Sequence, residues 1–535
     1  MDNFISQDNQ LHIQIAKNRT FPSQPTPQPM KLRFTLVLTL VLAGFIACAQ
    51  VDYKKLDAYY EKALKEWNVP GMSIGIVKDG KLVFAKGYGT VEVGKNQKPD
   101  ENTLFAIASN SKAFTSAAIA LLVQEGKLKW DDKVRQHLPY FTLYNTYVSE
   151  ETTIRDLLCH RVGLGTFSGD VIWYRSQLSA EEIIKRVRYL PPAYNFRAGY
   201  GYSNLMYITA GEVIRKVTGK SWGEFVTERF LKPLGMTSTV TGTRYLQNVA
   251  NVATPHERAD EQNKPTPWVD WENIGATGGL ISSVSDLSQW LIFNMNHGVW
   301  GKDTLLTAAS RNTLWTPHNN FVVDHTAKNP VTHFRGYGLG WGLSDYHGRL
   351  RVGHTGGYDG MVSVIQMLPE EKLGFIMLTN GLQAPLGALP SYTFDRFLGK
   401  PERDWSKEHL EGTMEAKKED TRIADRKKAR VPDTKPSLAA PKYAGTYHAD
   451  IYGKIVVSEA NGQLRLTFEH TPDFSATLQH WHYDVFQIVW DKPQSWFAFG
   501  TVRFNLDNNL EILSLDFDVP NDDIFFEELK AKRIK

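Results

Sequence analysis

The chain has 535 residues, 42% of them hydrophobic and 12% aromatic, enough to bury a large core and to divide into more than one domain. Its 61 Lys and Arg against 58 Asp and Glu leave a net charge of +3, which excludes the broad basic surface that a nucleic-acid partner requires. The two cysteines, Cys48 and Cys159, form no disulfide framework and no zinc spacing, so any chemistry comes from side chains other than thiols.

Met30 is followed by Lys31 and Arg33, an apolar run over residues 34–46 and then Ala47-Cys48-Ala49. That is the charge, core and small-residue order of a secretory signal peptide, placed at residues 30–49. The run is too short for a membrane span, so no transmembrane segment is expected in the mature chain. Cleavage after Ala49 gives a periplasmic or secreted protein. The alternative is a lipoprotein anchored through Cys48, for which Phe45 is a poor match. Residues 1–29, polar and Pro-containing, read as a non-native extension, with translation starting at Met30.

Leu56, Tyr59, Tyr60, Ala63, Leu64 and Trp67 recur at helical spacing before Val69-Pro70-Gly71 stops the helix. Residues 72–78 and 81–88 are β-type runs joined by Asp79-Gly80, a two-residue hairpin signal. A buried helix is expected over residues 109–125, with Gly126 as its stop. The middle of the chain, to about residue 300, is mostly helical and loop. Strands return at 349–352, 361–368 and 373–379, and strands at both ends with helices between them predict one sheet assembled from distant segments. Residues 401–440, charged and Pro-containing, read as a linker with one solvated helix. Residues 441–535 alternate short β-rich runs with turns and read as a separate all-β domain.

Three segments could carry chemistry. Ser109-Asn110-Ser111-Lys112 puts a hydroxyl and an amine three residues apart, on one face of a helix start. A serine hydroxyl needs a base, and a lysine serves as one only if burial or nearby positive charge lowers its pKa; the apolar flanks supply such burial. The alternative is an N-capping serine beside a solvated lysine. Tyr202-Ser203-Asn204, the only Tyr-x-Asn in the chain, follows Gly199-Tyr200-Gly201 and could present a phenol and an amide to a cleft; the alternative is a core aromatic beside a turn asparagine. In His354-Thr355-Gly356-Gly357 the glycines allow close backbone approach to a ligand, Thr355 can hydrogen-bond it, and the Gly357 N–H can complete an oxyanion hole; a plain turn is the alternative.

Taken together, S-x-x-K, Tyr-x-Asn and His-Thr-Gly in this order resemble the serine β-lactamase and penicillin-binding-protein superfamily, in its class C β-lactamase-like branch of D-aminopeptidases, D-Ala-D-Ala carboxypeptidases and esterases. Leu128-Lys129-Trp130-Asp131-Asp132 and Tyr337-Gly338-Leu339-Gly340-Trp341 are further matches. The resemblance spans residues 51–400. It implies an α+β fold, an antiparallel sheet flanked by helices with a helical insertion, followed by the small all-β domain. It also implies that Ser109 is acylated, that Lys112 and Tyr202 share base and acid duties, that Asn204 orients the substrate amide, and that the Ser109 and Gly357 N–H groups hold the oxyanion.

Two departures bear on substrate. His354 stands where class C β-lactamases have lysine, and Cys159-His160-Arg161-Val162-Gly163-Leu164 departs from the usual Thr-His-Thr-Ser-Gly-Leu, with His160 read as structural. His480 and His482 read as ordinary surface or core residues. The expectation is an exported serine hydrolase acting through an acyl-enzyme on a small peptide, cell-wall fragment or ester, with no cofactor and no metal. The alternatives are a promiscuous carboxylesterase or weak β-lactamase on the same scaffold, and a non-catalytic binder of peptidoglycan fragments. An α/β-hydrolase is a disfavoured alternative.

Overall fold

The structure, a computed structural model, describes residues 51–259, 262–324, 326 and 331–534. The expected signal peptide at 30–49, the extension at 1–29 and Cys48 lie outside the described residues. Helix α1 (Tyr53–Glu66) starts at Asp52, whose carboxylate accepts from the backbone N–H groups of Lys54 and Lys55, and it buries Leu56, Tyr60 and Ala63. Strands β1 (Gly71–Lys78) and β2 (Lys81–Gly89) follow as a hairpin. Its turn residues Asp79 and Gly80 have φ of 50° and 75°, the conformation that closes a two-residue hairpin.

Five helices then position the site: α2 (Ser111–Gln124), α3 (Asp170–Trp173), α4 (Asn204–Thr218), α5 (Gly275–Gly278) and α6 (Val284–Met295). Helix α2 is buried from Ser111 to Leu122, so it runs through the centre of the helical layer. Phe114 stacks on Trp290 of α6 with ring centroids 3.8 Å apart.

The chain then returns to the sheet through β3 (Asn319–Phe321), β4 (Arg335–Tyr337), β5 (Gly342–Tyr346), β6 (Arg349–Tyr358), β7 (Met361–Leu368) and β8 (Leu373–Thr379). The eight strands form one sheet in the order β2-β1-β8-β7-β6-β5-β4-β3, antiparallel throughout. Neighbouring residues of a strand face opposite sides, and β8 shows what each side meets. Phe375 packs against Tyr60 of α1, whereas a Cβ on Gly374 would come within 2.8 Å of Leu291 of α6. Helices therefore cover both faces, which is why β1 and β8 read as continuous apolar runs.

Where the sequence predicts a linker with one solvated helix, two helices form after α7 (Ala388–Phe397): α8 (Trp405–Glu419) and α9 (Arg422–Lys428). Trp405 is buried and its indole N–H donates to Asp395 at 2.8 Å, and Arg426 pairs with Asp518. The segment is thus fastened at both ends, an outcome that its charge density conceals. An eight-stranded closed antiparallel barrel ends the chain: β9 (Gly445–Ala449), β10 (Gly453–Ala460), β11 (Gln463–Phe468), β12 (Ala476–His482), β13 (Val485–Trp490), β14 (Thr501–Leu506), β15 (Ile512–Asp518) and β16 (Ala531–Ile534). Aromatic rings fill its interior. Among the described residues no helix is long and apolar enough to cross a membrane.

Phe526 is fully buried and its ring meets those of Phe474, Trp490 and Phe497 at 5.4, 5.6 and 5.0 Å. Truncation there removes a large core side chain with no small neighbour able to fill the space. Phe526→Ala is expected to cost about 3–5 kcal/mol, read as a lowered midpoint in denaturant unfolding.

Candidate active site

Ser109 lies in a single 3-10 turn, Ala108–Asn110, just ahead of α2 rather than in its first turn. Ala108 has φ of 47°, a left-handed conformation that costs a residue with a Cβ about 1–3 kcal/mol and persists only where the surroundings impose it. They do so here. The Asn110 side chain donates to Ser363 Oγ at 2.8 Å, Ser363 Oγ donates to the Ile107 carbonyl at 2.8 Å, and the Ile107 N–H donates to the Leu280 carbonyl at 3.0 Å. The turn is therefore pinned to the sheet on one side and to the α5–α6 connection on the other.

Lys112, one turn on, is fully buried. Its Nζ lies 3.0 Å from Ser109 Oγ, 2.8 Å from Asn204 Oδ1 and 2.9 Å from the Thr277 carbonyl. Burial holds its ammonium well below the usual lysine range, with only the Asp170 charge opposing. Two of the three partners are pure acceptors and take two N–H donors of a neutral amine. Ser109, the one partner able to donate, can then give its hydroxyl proton to the lone pair of such an amine.

Asn204 is oriented in turn. Its Nδ2 donates to Asp170 Oδ2 at 2.7 Å, and Asp170 Oδ1 accepts from the Trp173 indole N–H at 2.7 Å. Burial pushes the Asp170 carboxyl well up, while these two donated bonds pull it back. Burial raises the Tyr202 phenol well above the usual range, with Ser109 opposing. Its ring lies 4.8 Å from Lys112 Nζ. His160 supports this segment: its Nδ1 accepts from the Ser203 N–H at 3.0 Å and its ring lies 4.4 Å from that of Tyr202.

The third segment runs along β6. Strand β5 pairs with β6 only over residues 349–353, which leaves the edge from His354 onward facing the Ser109 turn. Gly356 makes that approach possible, since a Cβ there would stand 2.2 Å from the Ile107 carbonyl and 2.7 Å from Ser363 Oγ. It is buried against the turn and, unlike His354, Thr355 and Gly357, it does not line the cavity. His354 Nε2 lies 3.0 Å from the Tyr337 hydroxyl and its Nδ1 2.5 Å from the Thr355 carbonyl, contacts that a neutral ring satisfies. Burial pushes His354 down to about 4. It therefore carries no fixed positive charge at neutral pH.

A cavity of about 550 Å³ opens over these groups, lined by Ser109, Tyr202, Asn204, Thr355 and Gly357. The structure thus brings seven of the eight sequence-derived residues to the pocket or into contact with Ser109, with Gly356 as the packing residue behind them. Sequence reasoning missed Asp170, Thr277, Tyr337 and two barrel residues, Trp496 and Asp523, which share the cavity wall with Asp170 and Tyr337. Nothing in Ser168-Gly169-Asp170-Val171 marks its carboxylate as buried. Thr277 acts through a backbone carbonyl, which has no sequence signal at all. Among the described residues no group of three His, Cys, Asp or Glu could hold a metal ion.

Residues 56–395 match the Beta-lactamase family model and residues 429–533 match the model of a domain of unknown function, DUF3471. The chain belongs to the Beta-lactamase family and is a serine hydrolase. It is 28% identical over 484 residues to unguisins hydrolase ungD of Aspergillus violaceofuscus, covering 81% of this chain and 83% of that protein. Among solved structures, the octameric penicillin-binding protein homologue from Pyrococcus abyssi superposes with a TM-score of 0.59 at 23% identity, over 88% of this chain and 98% of that one. A D-stereospecific amidohydrolase from Streptomyces sp. gives 0.53 at 22% identity, over 65% of this chain and all of that one. These two show the shared fold.

The close approach of β6 to the nucleophile turn makes a stability prediction. Gly356→Ala is expected to cost about 1–3 kcal/mol through overpacking against backbone. Gly412→Ala, inside α8 with nothing near its Cβ position, is expected to gain about 0.5–1 kcal/mol. Paired urea titrations check both signs.

Proposed function

We propose that the chain is an exported serine hydrolase that cleaves an amide or ester through an acyl-enzyme, with D-amino-acid peptides and peptidoglycan fragments as its substrate class. The observation that carries this is the buried Lys112 Nζ, held by two acceptors and 3.0 Å from Ser109 Oγ. A pure binding protein has no use for an activated hydroxyl.

In this mechanism Ser109 Oγ attacks the substrate carbonyl while Lys112 takes its proton. Tyr202, which lines the cavity with Ser109 and whose ring lies 4.8 Å from the amine, carries the proton to the leaving group. The backbone N–H groups of Ser109 and Gly357 receive the oxyanion, and Asn204 orients the substrate amide while it holds Lys112. Water then hydrolyses the ester at Ser109. The neutral His354 supplies no fixed cation for the carboxylate of an antibiotic or of a peptide, which favours amides and esters without a carboxylate at that position over β-lactam antibiotics. The hydrolase name of the fungal relative and the D-stereospecific amidohydrolase on the same fold are in keeping with that class.

Intact-mass spectrometry of the protein treated with a fluorophosphonate tests the acyl-enzyme directly. Wild type is expected to gain one adduct, on Ser109, and Ser109→Ala none; an unlabelled wild type would favour the non-catalytic binder.

The pH dependence has a definite sign. The base acts when neutral, so labelling is present above the Lys112 pKa and lost as pH falls through it. Because burial places that pKa well below 10.5, the acid limb of labelling is expected well below the pH at which an exposed lysine loses its proton. Asp170→Asn leaves a single acceptor where the carboxyl serves both Trp173 and Asn204, which weakens the hold on Asn204 and so on Lys112. Loss of the Asn204 anchor is expected to slow labelling about tenfold to a hundredfold.

A further inference from the structure

Behind the catalytic residues lies a second cavity, of about 610 Å³, that shares no lining residue with the first. It opens between α4, the short helix Trp222–Val226 and the segment leading into α5. Its volume is that of a small-molecule site, for which roughly 300–1,000 Å³ is usual. Close packing locks its walls. A Cβ on Gly211 of α4 would stand 2.5 Å from the Ala276 Cβ, and one on Gly275 would stand 3.1 Å from the Trp222 ring. The three elements therefore hold one another at fixed distances, and the cavity is a feature of their frame. Its wall also carries a rare backbone form. The chain runs as a π-helix over Thr227–Leu231, and Thr227 and Glu228 line the cavity; single π-helical turns are frequent at functional sites.

The lining sets the chemistry of an occupant. Ile208, Trp222, Ile274 and Ala276 are buried and make an apolar inner wall. The charged groups of the lining mostly neutralise one another. Arg215 pairs with Glu212, Lys220 with Glu228 and Arg244 with Glu272, while Glu224 accepts from the Ser221 N–H and hydroxyl at the start of the Trp222–Val226 helix. Lys232 is the charge left over: it lines the cavity, is exposed, and its ammonium has no hydrogen bond or ion pair among the described residues. A complementary occupant has an apolar body for the inner wall and one negative charge for Lys232. The wall it would touch is shared with the catalytic side. The Ala276 carbonyl accepts from Thr115 Oγ1 at 2.6 Å, and the next carbonyl, that of Thr277, holds Lys112 Nζ at 2.9 Å.

We propose that this cavity is a second ligand site, separate from the catalytic pocket, that binds a small carboxylate with an apolar or aromatic body, the body against the Trp222 wall and the carboxylate at Lys232. The inference goes beyond the acyl-enzyme reading and does not depend on it.

Calorimetric titration of the full chain with 2-naphthylacetate and with 2-naphthylacetamide, which has the same body and no charge, tests the site. Wild type is expected to bind the acid about threefold to fivefold more tightly than the amide, the scale of an exposed ion pair. Lys232→Glu, at an exposed position, is expected to keep the fold and abolish that preference. Thr241→Trp, which puts a large ring into the cavity from its wall, is expected to remove one equivalent of bound acid. Absent binding by wild type, equal binding of acid and amide, a preference that survives Lys232→Glu, or full stoichiometry in a folded Thr241→Trp overturns the proposal. Should Thr241→Trp fail to fold, the acid-to-amide ratio in wild type and Lys232→Glu decides it.

Discussion

The burial of a lysine amine in the middle of the helical layer is the constraint on which the rest of the site depends. An amine taken fully out of water keeps its charge only at high cost, so it either loses the proton or finds partners. Lys112 has partners from three separate parts of the chain: Ser109, Asn204 at the start of α4, and the Thr277 carbonyl in α5. Asn204 can offer its oxygen to Lys112 only because Asp170 takes its amide hydrogen. One buried nitrogen thus demands that α2, α3, α4 and α5 converge. The helical insertion between the two halves of the sheet exists, in physical terms, to deliver those groups.

A second constraint comes from the sheet. The nucleophile turn is strained at Ala108 and is pinned between β6, β7 and the α5–α6 connection. Gly356 lets β6 approach the turn more closely than any side chain would permit, and that approach brings Thr355 and Gly357 beside Ser109 in one cavity wall. The free edge of β6 beyond Gly353 is therefore where the sheet becomes a binding surface. The barrel covers the Gly357 end of that surface with Trp496 and fastens α3 through Glu528. Its mechanical connection to Asp170, and through Asn204 to Lys112, is short and made of hydrogen bonds.

The elements legible in the sequence are those with strong local signals. The Asp79-Gly80 turn, the apolar helix stopped by Gly126 and the strands 361–368 and 373–379 all form nearly where periodicity and turn chemistry put them. The Ser109–Lys112 pair was legible as geometry, although the helix starts at Ser111 and the serine sits in the preceding turn. Strand β6 was read as four residues, 349–352, and extends to Tyr358, because Gly353, Gly356 and Gly357 weaken the β signal where the close approach needs them. Residues 401–440 hid a buried tryptophan among charges. What no local pattern reveals is a partner supplied across the fold. Asp170 meets Asn204 from 34 residues away, Thr277 acts through its backbone, and Asp523 belongs to another layer of the molecule altogether.

The charges around the pocket are arranged at its ends rather than at its centre. Near Ser109 the ionisable groups hold their neutral forms: Lys112 by burial, His354 between Tyr337 and the Thr355 carbonyl, and Tyr202 by burial beside the serine. A neutral centre is what nucleophilic attack by a lysine-activated serine needs, since a protonated amine has no lone pair to offer. It also removes the usual means of holding a substrate by charge at the reaction site.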